Sequence, residues 1–371
     1  MFCKRITVLF ALLFSLALVG CSGKTVEESK SLKSTFANHN LKAGTCVSGA
    51  MISDEEQRQV LLDNFSSITM ENVMKPEAIL NKSKSIENGE ITVEFNDEAL
   101  SILEFAKENN LSMRGHTLVW YSQTPSWIFY EDFDESKNLV TRDEMLERME
   151  TFIRKTFGLI DELGYTDLFY AYDVVNEAVM EDGRMRDCLW KDTIGDDYVW
   201  YAFYYANKYA PESIDLYYND YNEQLKTSAL IRFAETLVDE NGNYLVDGIG
   251  LQAHLYTQDS LITYFKTFDK LSAAGFKVEI TELDVGLGSW NNPLEPTEEN
   301  LKKQGDFYCA LLKEVFKRVD EGTLNMDAVT FWGFMDKASW RSEYHPLLFD
   351  DTLSPKIAYD RIVNDLYDVA E

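Results

Sequence analysis

Two glutamates pose the chemical question of this sequence. An apolar run over residues 169–175 stops on Asn176 and Glu177, and a strand that ends on such a pair presents it. Apolar runs of this length are usually buried strands, and a carboxyl at their end sits at the rim of a core, where burial favours its neutral form. A second run, residues 277–284, repeats the pattern: Val278 and Ile280 alternate with other residues, and Glu282 and Asp284 continue on the same face. Two strands thus deliver two carboxyl groups to one rim. Such a pair can cleave an acetal, one member giving a proton while the other attacks or activates water. Either glutamate alone also reads as a solvated loop charge.

The elements that must position them are regular. Strand-like runs occupy residues 41–47, 68–72, 113–120, 169–176, 214–221, 248–254, 277–284 and 328–333. Segments of helical period follow them, at 54–65, 97–109, 141–163, 198–208, 222–239, 259–274, 297–319 and 355–369. Ser53 with Glu56, and Thr141 with Glu144, have the capping-box spacing of a helix start. Strand and helix alternating eight times predict an α/β fold, a single (β/α)8 TIM barrel, because parallel strands need crossovers and the eighth strand closes the sheet. Chemistry in that fold sits at the C-terminal strand ends. Those ends carry Glu71, Asn72 and Lys75; His116 and Trp120; Asn219 and Asp220; Gln252 and His254; and Trp332, with Trp340 beyond. Carboxyls, amides, imidazoles and indoles converging on one mouth suit a sugar polymer, and this chemistry requires no metal or organic cofactor.

Composition narrows the rest. A net charge of −28 makes nucleic acid an improbable partner and is compatible with a neutral polymer. Lys4 and Arg5 precede an apolar run, residues 6–19, that is short of the roughly 20 residues of a membrane span and reads as a secretory signal. Leu18-Val19-Gly20-Cys21 is similar to a bacterial lipobox, whose cleavage leaves the cysteine lipidated. The expectation is a signal over residues 1–20, a polar tether over 21–35 and one catalytic domain over 36–371. The protein would be an exported lipoprotein, anchored through Cys21 to a membrane, either the outer membrane or the cell surface; a plain secretory signal is the alternative. Cys46, Cys188 and Cys309 show no metal-site spacing and read as buried thiols, with one disulfide left open. A monomer is expected.

At this point the residues resemble glycoside hydrolase family 10, the endo-β-1,4-xylanases. The resemblance covers nearly the whole body through residues 71–75, 115–120, 173–178, 218–222, 250–254 and 281–284, then Trp332 and Ser339-Trp340. It implies xylan and xylo-oligosaccharides as substrates and a retaining mechanism with Glu177 as general acid and base and Glu282 as nucleophile. It further implies that His254 bonds the nucleophile and is oriented by Asp284. Asn176 would hold a sugar 2-hydroxyl and Gln252 would complete the carboxylate network. Glu71, Asn72, Lys75, His116, Trp120, Trp332 and Trp340 would line the glycone subsites, with Asn219 also among the substrate contacts. Indoles there would disfavour a hydroxymethyl group and so prefer xylose to glucose.

The chain departs from the family where Tyr121 stands for a frequent histidine and Tyr172 for a frequent tryptophan, which predicts altered subsite detail or pH response. Two other functions fit the same residues. One is a retaining glucanase, divided from a xylanase by whether a hydroxymethyl group fits beside Trp332 and Trp340. The other is a glycan-binding protein on a hydrolase scaffold that no longer turns over; retention of both Glu177 and Glu282 argues against it. For Lys75 an ion pair, for His116 and the tryptophans a core position, and for Asn219 and Asp220 a turn are the plain structural readings.

Overall fold

The computed structural model describes residues 30–367; the expected signal, Cys21 and most of the expected tether lie outside the described residues. The first described helix starts within the stretch read as tether. Leu32–Ala37 is a helix capped by Ser31, and it buries Leu32, Thr35 and Phe36.

Eight parallel strands close into a barrel: β1 Lys42–Val47, β2 Ser67–Met70, β3 Ser112–Trp120, β4 Phe169–Asn176, β5 Asp215–Asp220, β6 Gly248–Leu251, β8 Lys277–Gly286 and β11 Ala328–Phe331. They follow one another around the sheet in chain order, and pairing of β11 with both β1 and β8 shuts the ring. The short strand β7, His254–Tyr256, continues the line of β6 along β8. The two-stranded hairpin β9 Gly288–Ser289 and β10 Asn292–Pro293 stands just beyond β8. The predicted strand over residues 248–254 is therefore two strands. Ala253 takes a left-handed conformation, φ 56°, and interrupts it between Gln252 and His254.

Outside the barrel, each helix turns an apolar stripe inward. In Arg142–Glu162 the buried residues Met145, Met149, Phe152, Ile153, Thr156 and Ile160 recur at helical spacing; full burial of one such large apolar side chain contributes about 1.5–3 kcal/mol. Thr141 caps this helix, accepting from the Glu144 amide at 3.3 Å, while the Glu144 carboxylate turns to Arg148 instead of closing a capping box. The Ser53–Glu56 box does not form. Ser53 ends a preceding short helix, and Asp54 caps Glu55–Asn64 by accepting from the Gln57 amide at 2.9 Å. Cys46, Cys188 and Cys309 are free thiols. Among the described residues no helix is long and apolar enough to cross a membrane.

The two site strands break the simple alternation on which the sequence reading relied. Val278 and Ile280 do not share a face with Glu282. Glu279 bonds Arg114 and Thr281 bonds Asn219 inside the barrel. The register against β11 then steps from Val329↔Ile280 to Phe331↔Leu283, one extra residue on β8. That bulge turns Glu282 and Asp284 to the interior as well. β4 does the same against β5, stepping from Asp173↔Tyr217 to Val175↔Tyr218, so Asp173 and Asn176 both face in.

Tyr172 lies away from the mouth. Fully buried on the outer face of the wall, it stacks on Phe169 at 6.1 Å and meets Phe157 edge-on at 5.3 Å. It is a packing residue, so a subsite role for it is withdrawn. Its ring lies over Gly115, where a Cβ would collide with it. Gly115→Ala is expected to cost about 1–3 kcal/mol by overpacking, read as a lower urea midpoint with an unchanged m-value; an unchanged midpoint would show that the ring moves freely aside.

Candidate active site

The strand ends open into one cleft of about 1070 Å³, lined by Glu71, Asn72, Lys75, His116, Trp120, Asn176, Glu177, Gln252, His254, Glu282, Trp332 and Trp340. Glu177 and Glu282 are 7% and 5% exposed. Both face the cleft while nearly all their surface is out of water.

One run of amides ties them together. Gln252 Nε2 donates to Glu177 Oε1 at 2.9 Å and to Asn176 Oδ1 at 3.2 Å. Asn219 Nδ2 donates to Asn176 Oδ1 at 3.0 Å and to Glu282 Oε1 at 2.8 Å. Thr281 Oγ1 donates to Asn219 Oδ1 at 2.6 Å and fixes which way that amide points. Asn219, read from sequence as a sugar contact, is 0% exposed with every polar group of its side chain engaged. It positions Glu282 from below the cleft floor.

His254 holds the other side of Glu282. Its Nε2 lies 3.3 Å from Glu282 Oε2 and its Nδ1 3.0 Å from Asp284 Oδ2. Burial opposes the imidazolium, but Asp284 and Glu282 together raise the His254 pKa to about 10, so both ring nitrogens donate at neutral pH. Asp284 is fixed in turn by Arg341 and by Trp340 Nε1 at 3.2 Å. Burial pushes the Glu282 pKa up; the His254 hydrogen bond and the charges of His116, His254 and Lys75 overcome it and hold the carboxyl at about 2.

Glu177 is placed by backbone. It follows β4 in a left-handed conformation, φ 58°, uncommon for a residue with a side chain. Its amide donates to Asn219 O at 2.9 Å, and Arg186 Nε donates to its carbonyl at 2.8 Å. Arg186 also stacks on Tyr121 at 4.2 Å and donates to the Tyr221 hydroxyl at 2.9 Å. Tyr121 lines the cleft, 43% exposed, and burial followed by the Glu177 charge raises its pKa.

The β2–β3 wall is polar. Lys75 Nζ donates to Asn72 Oδ1 at 3.0 Å and Gln123 Oε1 at 2.8 Å and lies 5.1 Å over the Trp120 ring. Burial lowers the Lys75 pKa and raises that of Glu71. His116 Nδ1 lies 2.9 Å from Asp173 Oδ2, and Trp332 meets the His116 ring edge-on at 5.5 Å. Under His116, Arg114 pairs with Asp173 and, at 3.0 Å, with Glu279, all fully buried.

Sequence reasoning missed Gln123, Arg341, Tyr256 and Trp290, all of which line the cleft. Gln123 and Arg341 each sit within three residues of an indole already singled out, and that adjacency was the available signal. His39 is core, stacked on Phe316 at 4.2 Å and bonded to Asp320.

A parallel barrel with a buried ionised carboxylate and a second carboxyl on the same amide run defines a barrel glycoside hydrolase. The chain belongs to glycosyl hydrolase family 10, whose sequence pattern matches residues 31–365. It is 37% identical over 346 residues to the bifunctional endo-1,4-β-xylanase XylA of Ruminococcus flavefaciens, covering 90% of this chain and 34% of that one. It is 32% identical over 334 residues to endo-1,4-β-xylanase B of Butyrivibrio fibrisolvens, covering 86% and 50%. The chain thus spans a third to a half of the length of these relatives. Among solved structures, the CBM22-1–GH10 modules of Clostridium thermocellum xylanase 10B, complexed with xylohexaose, superpose with a TM-score of 0.82 at 33% identity, covering 91% of this chain and 67% of that one. The endo-1,4-β-xylanase of Caldicellulosiruptor owensensis gives 0.78 at 34% identity, covering 91% and 100%.

The His254–Glu282 pair carries a pH signature. The His254 pKa stands above its unfolded value of ~6.5, so its stabilisation is complete below that pH and is lost as pH rises through about 10. Glu282 is depressed, so its contribution is present above ~4.3 and lost as pH falls towards 2. In His254→Ala the carboxylate loses its donor. The acid limb of kcat/KM is expected to move up by about one unit or more, and the alkaline decline in stability to flatten; an unmoved acid limb would show that His254 does not keep Glu282 ionised.

Proposed function

We propose that this chain is an endo-acting, retaining glycoside hydrolase that cleaves internal β-1,4-xylosidic bonds of xylan. The observation that carries the reading is the division of labour between two carboxyl groups in one cleft. Glu282 is held ionised at a pKa of about 2. Among the described residues no Lys, Arg or His forms an ion pair with the Glu177 carboxyl, which accepts from the amides of Gln252 and Asn176 and also bonds the Tyr121 side chain.

In this reading Glu282 attacks the anomeric carbon as Glu177 protonates the departing oxygen, giving a glycosyl ester on Glu282. Glu177, now ionised, takes a proton from the water that displaces Glu282, and the original configuration returns. Attack discharges Glu282 and weakens its hold on His254; Asp284 keeps the ring aligned until the carboxylate is restored. Asn176, anchored by Gln252 and Asn219, offers its amide beside Glu177 to a sugar hydroxyl, a contact that strengthens as charge develops on the ring. Trp332 and Trp340 wall the site where a hydroxymethyl group would project.

Product chromatography after incubation with glucuronoxylan, arabinoxylan, soluble cellulose and mannan tests this. Short xylo-oligosaccharides from the xylans alone are expected. Glu282→Ala should release none, and Glu177→Ala should lower kcat by about 10²–10⁴-fold. Release from cellulose would favour the glucanase; binding to xylan with no products would favour a glycan-binding protein.

We further propose that Cys21 is lipidated and anchors the catalytic body to a membrane, on the support of the Leu18-Val19-Gly20-Cys21 sequence. The full chain made in a bacterial host should partition into detergent, and Cys21→Ala into the aqueous phase. Equal partitioning would refute the anchor.

A further inference from the structure

Three residues beyond the end of β5 lies a buried carboxyl group that the mechanism above does not use. Glu223 opens the helix Glu223–Ala234 and is 1% exposed. Lys226, the cation nearest to it in the chain, turns instead to Asp220 at 2.7 Å and to Val179 O at 2.6 Å. Burial pushes the Glu223 pKa up to about 7, although the Tyr264 hydrogen bond lowers it. A carboxyl taken out of water is unfavourable unless its bonds repay the loss, so what this one holds is informative.

It holds the break between β6 and β7. Glu223 Oε1 accepts from the Ala253 amide at 3.2 Å and from the Tyr264 hydroxyl at 2.7 Å. Ala253, φ 56°, is the left-handed residue at that break, and its amide donates to this carboxyl rather than to a neighbouring strand. A buried amide needs an acceptor, and here a helix supplies it. Tyr264 ties the same oxygen to the next helix, Leu261–Ala274, and the Thr227 and Thr267 hydroxyls meet at 3.1 Å between the two helices.

The residues on either side of Ala253 are donors to the two carboxyl groups of the cleft. Gln252 Nε2 donates to Glu177 Oε1 at 2.9 Å, and His254 Nε2 lies 3.3 Å from Glu282 Oε2. The backbone around them is fixed as well: Gln252 N donates to Asp220 O at 2.9 Å and Asp284 N to Ala253 O at 3.4 Å. Because Ala253 alone separates the two donors, its backbone conformation sets how their side chains are splayed.

We propose that Glu223 is a positioning residue: by holding the Ala253 amide it fixes the splay of Gln252 and His254, and so aligns Glu177 and Glu282 from a single point. The proposal rests on the function given above and adds to it a residue that does not line the cleft.

The test compares the full chain with Glu223→Gln, Glu223→Asp and Glu223→Ala on soluble xylan and a chromogenic aryl β-xylobioside. Gln keeps an acceptor without the charge; Asp keeps the charge but is one methylene short of the Ala253 amide. For Asp and Ala, kcat should fall about 10- to 100-fold, the scale of a displacement of about 1 Å, while KM stays within about 3-fold. Glu223→Gln should recover most of the loss. The acid limb of kcat/KM should move up in Asp and Ala, as His254 slackens its hold on Glu282, and stay in place in Gln. Gln as poor as Ala would show that charge rather than the bond to Ala253 counts, and would overturn the proposal. A lower urea midpoint with unchanged kcat would make Glu223 a purely structural residue and overturn it too. Where Glu223→Ala does not fold, the contrast between Gln and Asp decides. Inactivity of the wild-type chain on both substrates would instead overturn the functional reading. The His254 ring, titrated by NMR and identified by its absence in His254→Ala, then judges the positioning separately. It should stay protonated to about pH 10 in wild type and lose its proton at lower pH in Glu223→Asp; identical titrations would overturn the proposal.

Discussion

Keeping one carboxylate charged where water scarcely reaches is the constraint on which the rest of this structure depends. An ionised side chain removed from water is costly unless it is paired and fully hydrogen-bonded. Glu282 is therefore enclosed by donors on both oxygens, Asn219 on one and His254 on the other. Each donor needs its own anchor: Thr281 orients Asn219, Asp284 orients His254, and Arg341 and Trp340 fix Asp284. The demand spreads through three strands, β5, β7 and β8, and the loop after β11. The packing of the barrel rim follows from the electrostatics of a single group.

That demand also explains the two register shifts. A strand that alternates strictly can offer only every second residue to the barrel interior. β8 must offer Glu279 to Arg114, Thr281 to Asn219, Glu282 to the cleft and Asp284 to His254, which strict alternation forbids. One extra residue on β8 against β11 resolves the conflict. The extra residue on β4 likewise lets Asp173 serve the buried Arg114 pair while Asn176 serves the mouth.

Much of this was legible in the sequence, for physical reasons. Buried parallel strands are continuous apolar runs, so all eight barrel strands were found, and their chemistry lies at their ends, so Glu177, Glu282, Gln252 and His254 stood out where the runs stopped. What stayed hidden depends on phase or on distance in the chain. The bulge in β8 leaves no mark in a pattern read at period two, so Glu282 was given the face of Val278. Asn219 looked like a turn residue or a sugar contact because nothing local reveals that Thr281 and Glu282, more than sixty residues on, claim its amide. Tyr172 adjoins Asp173 in the chain, yet the pleat sends it to the opposite side of the wall. Trp290 lies in a loop with no periodic signal at all.

The left-handed backbone at Glu177 has a consequence for how such a protein changes over generations. A residue with a Cβ in that conformation carries local strain of order 1–3 kcal/mol, which glycine would relieve and asparagine would tolerate better. The acid side chain is kept there against the preference of the fold. Selection for robustness alone would drift away from it; on the proposed mechanism, selection for turnover holds it in place. Stability and the proposed chemistry pull on this position in opposite directions, so thermostability-driven redesign of the barrel must exempt it.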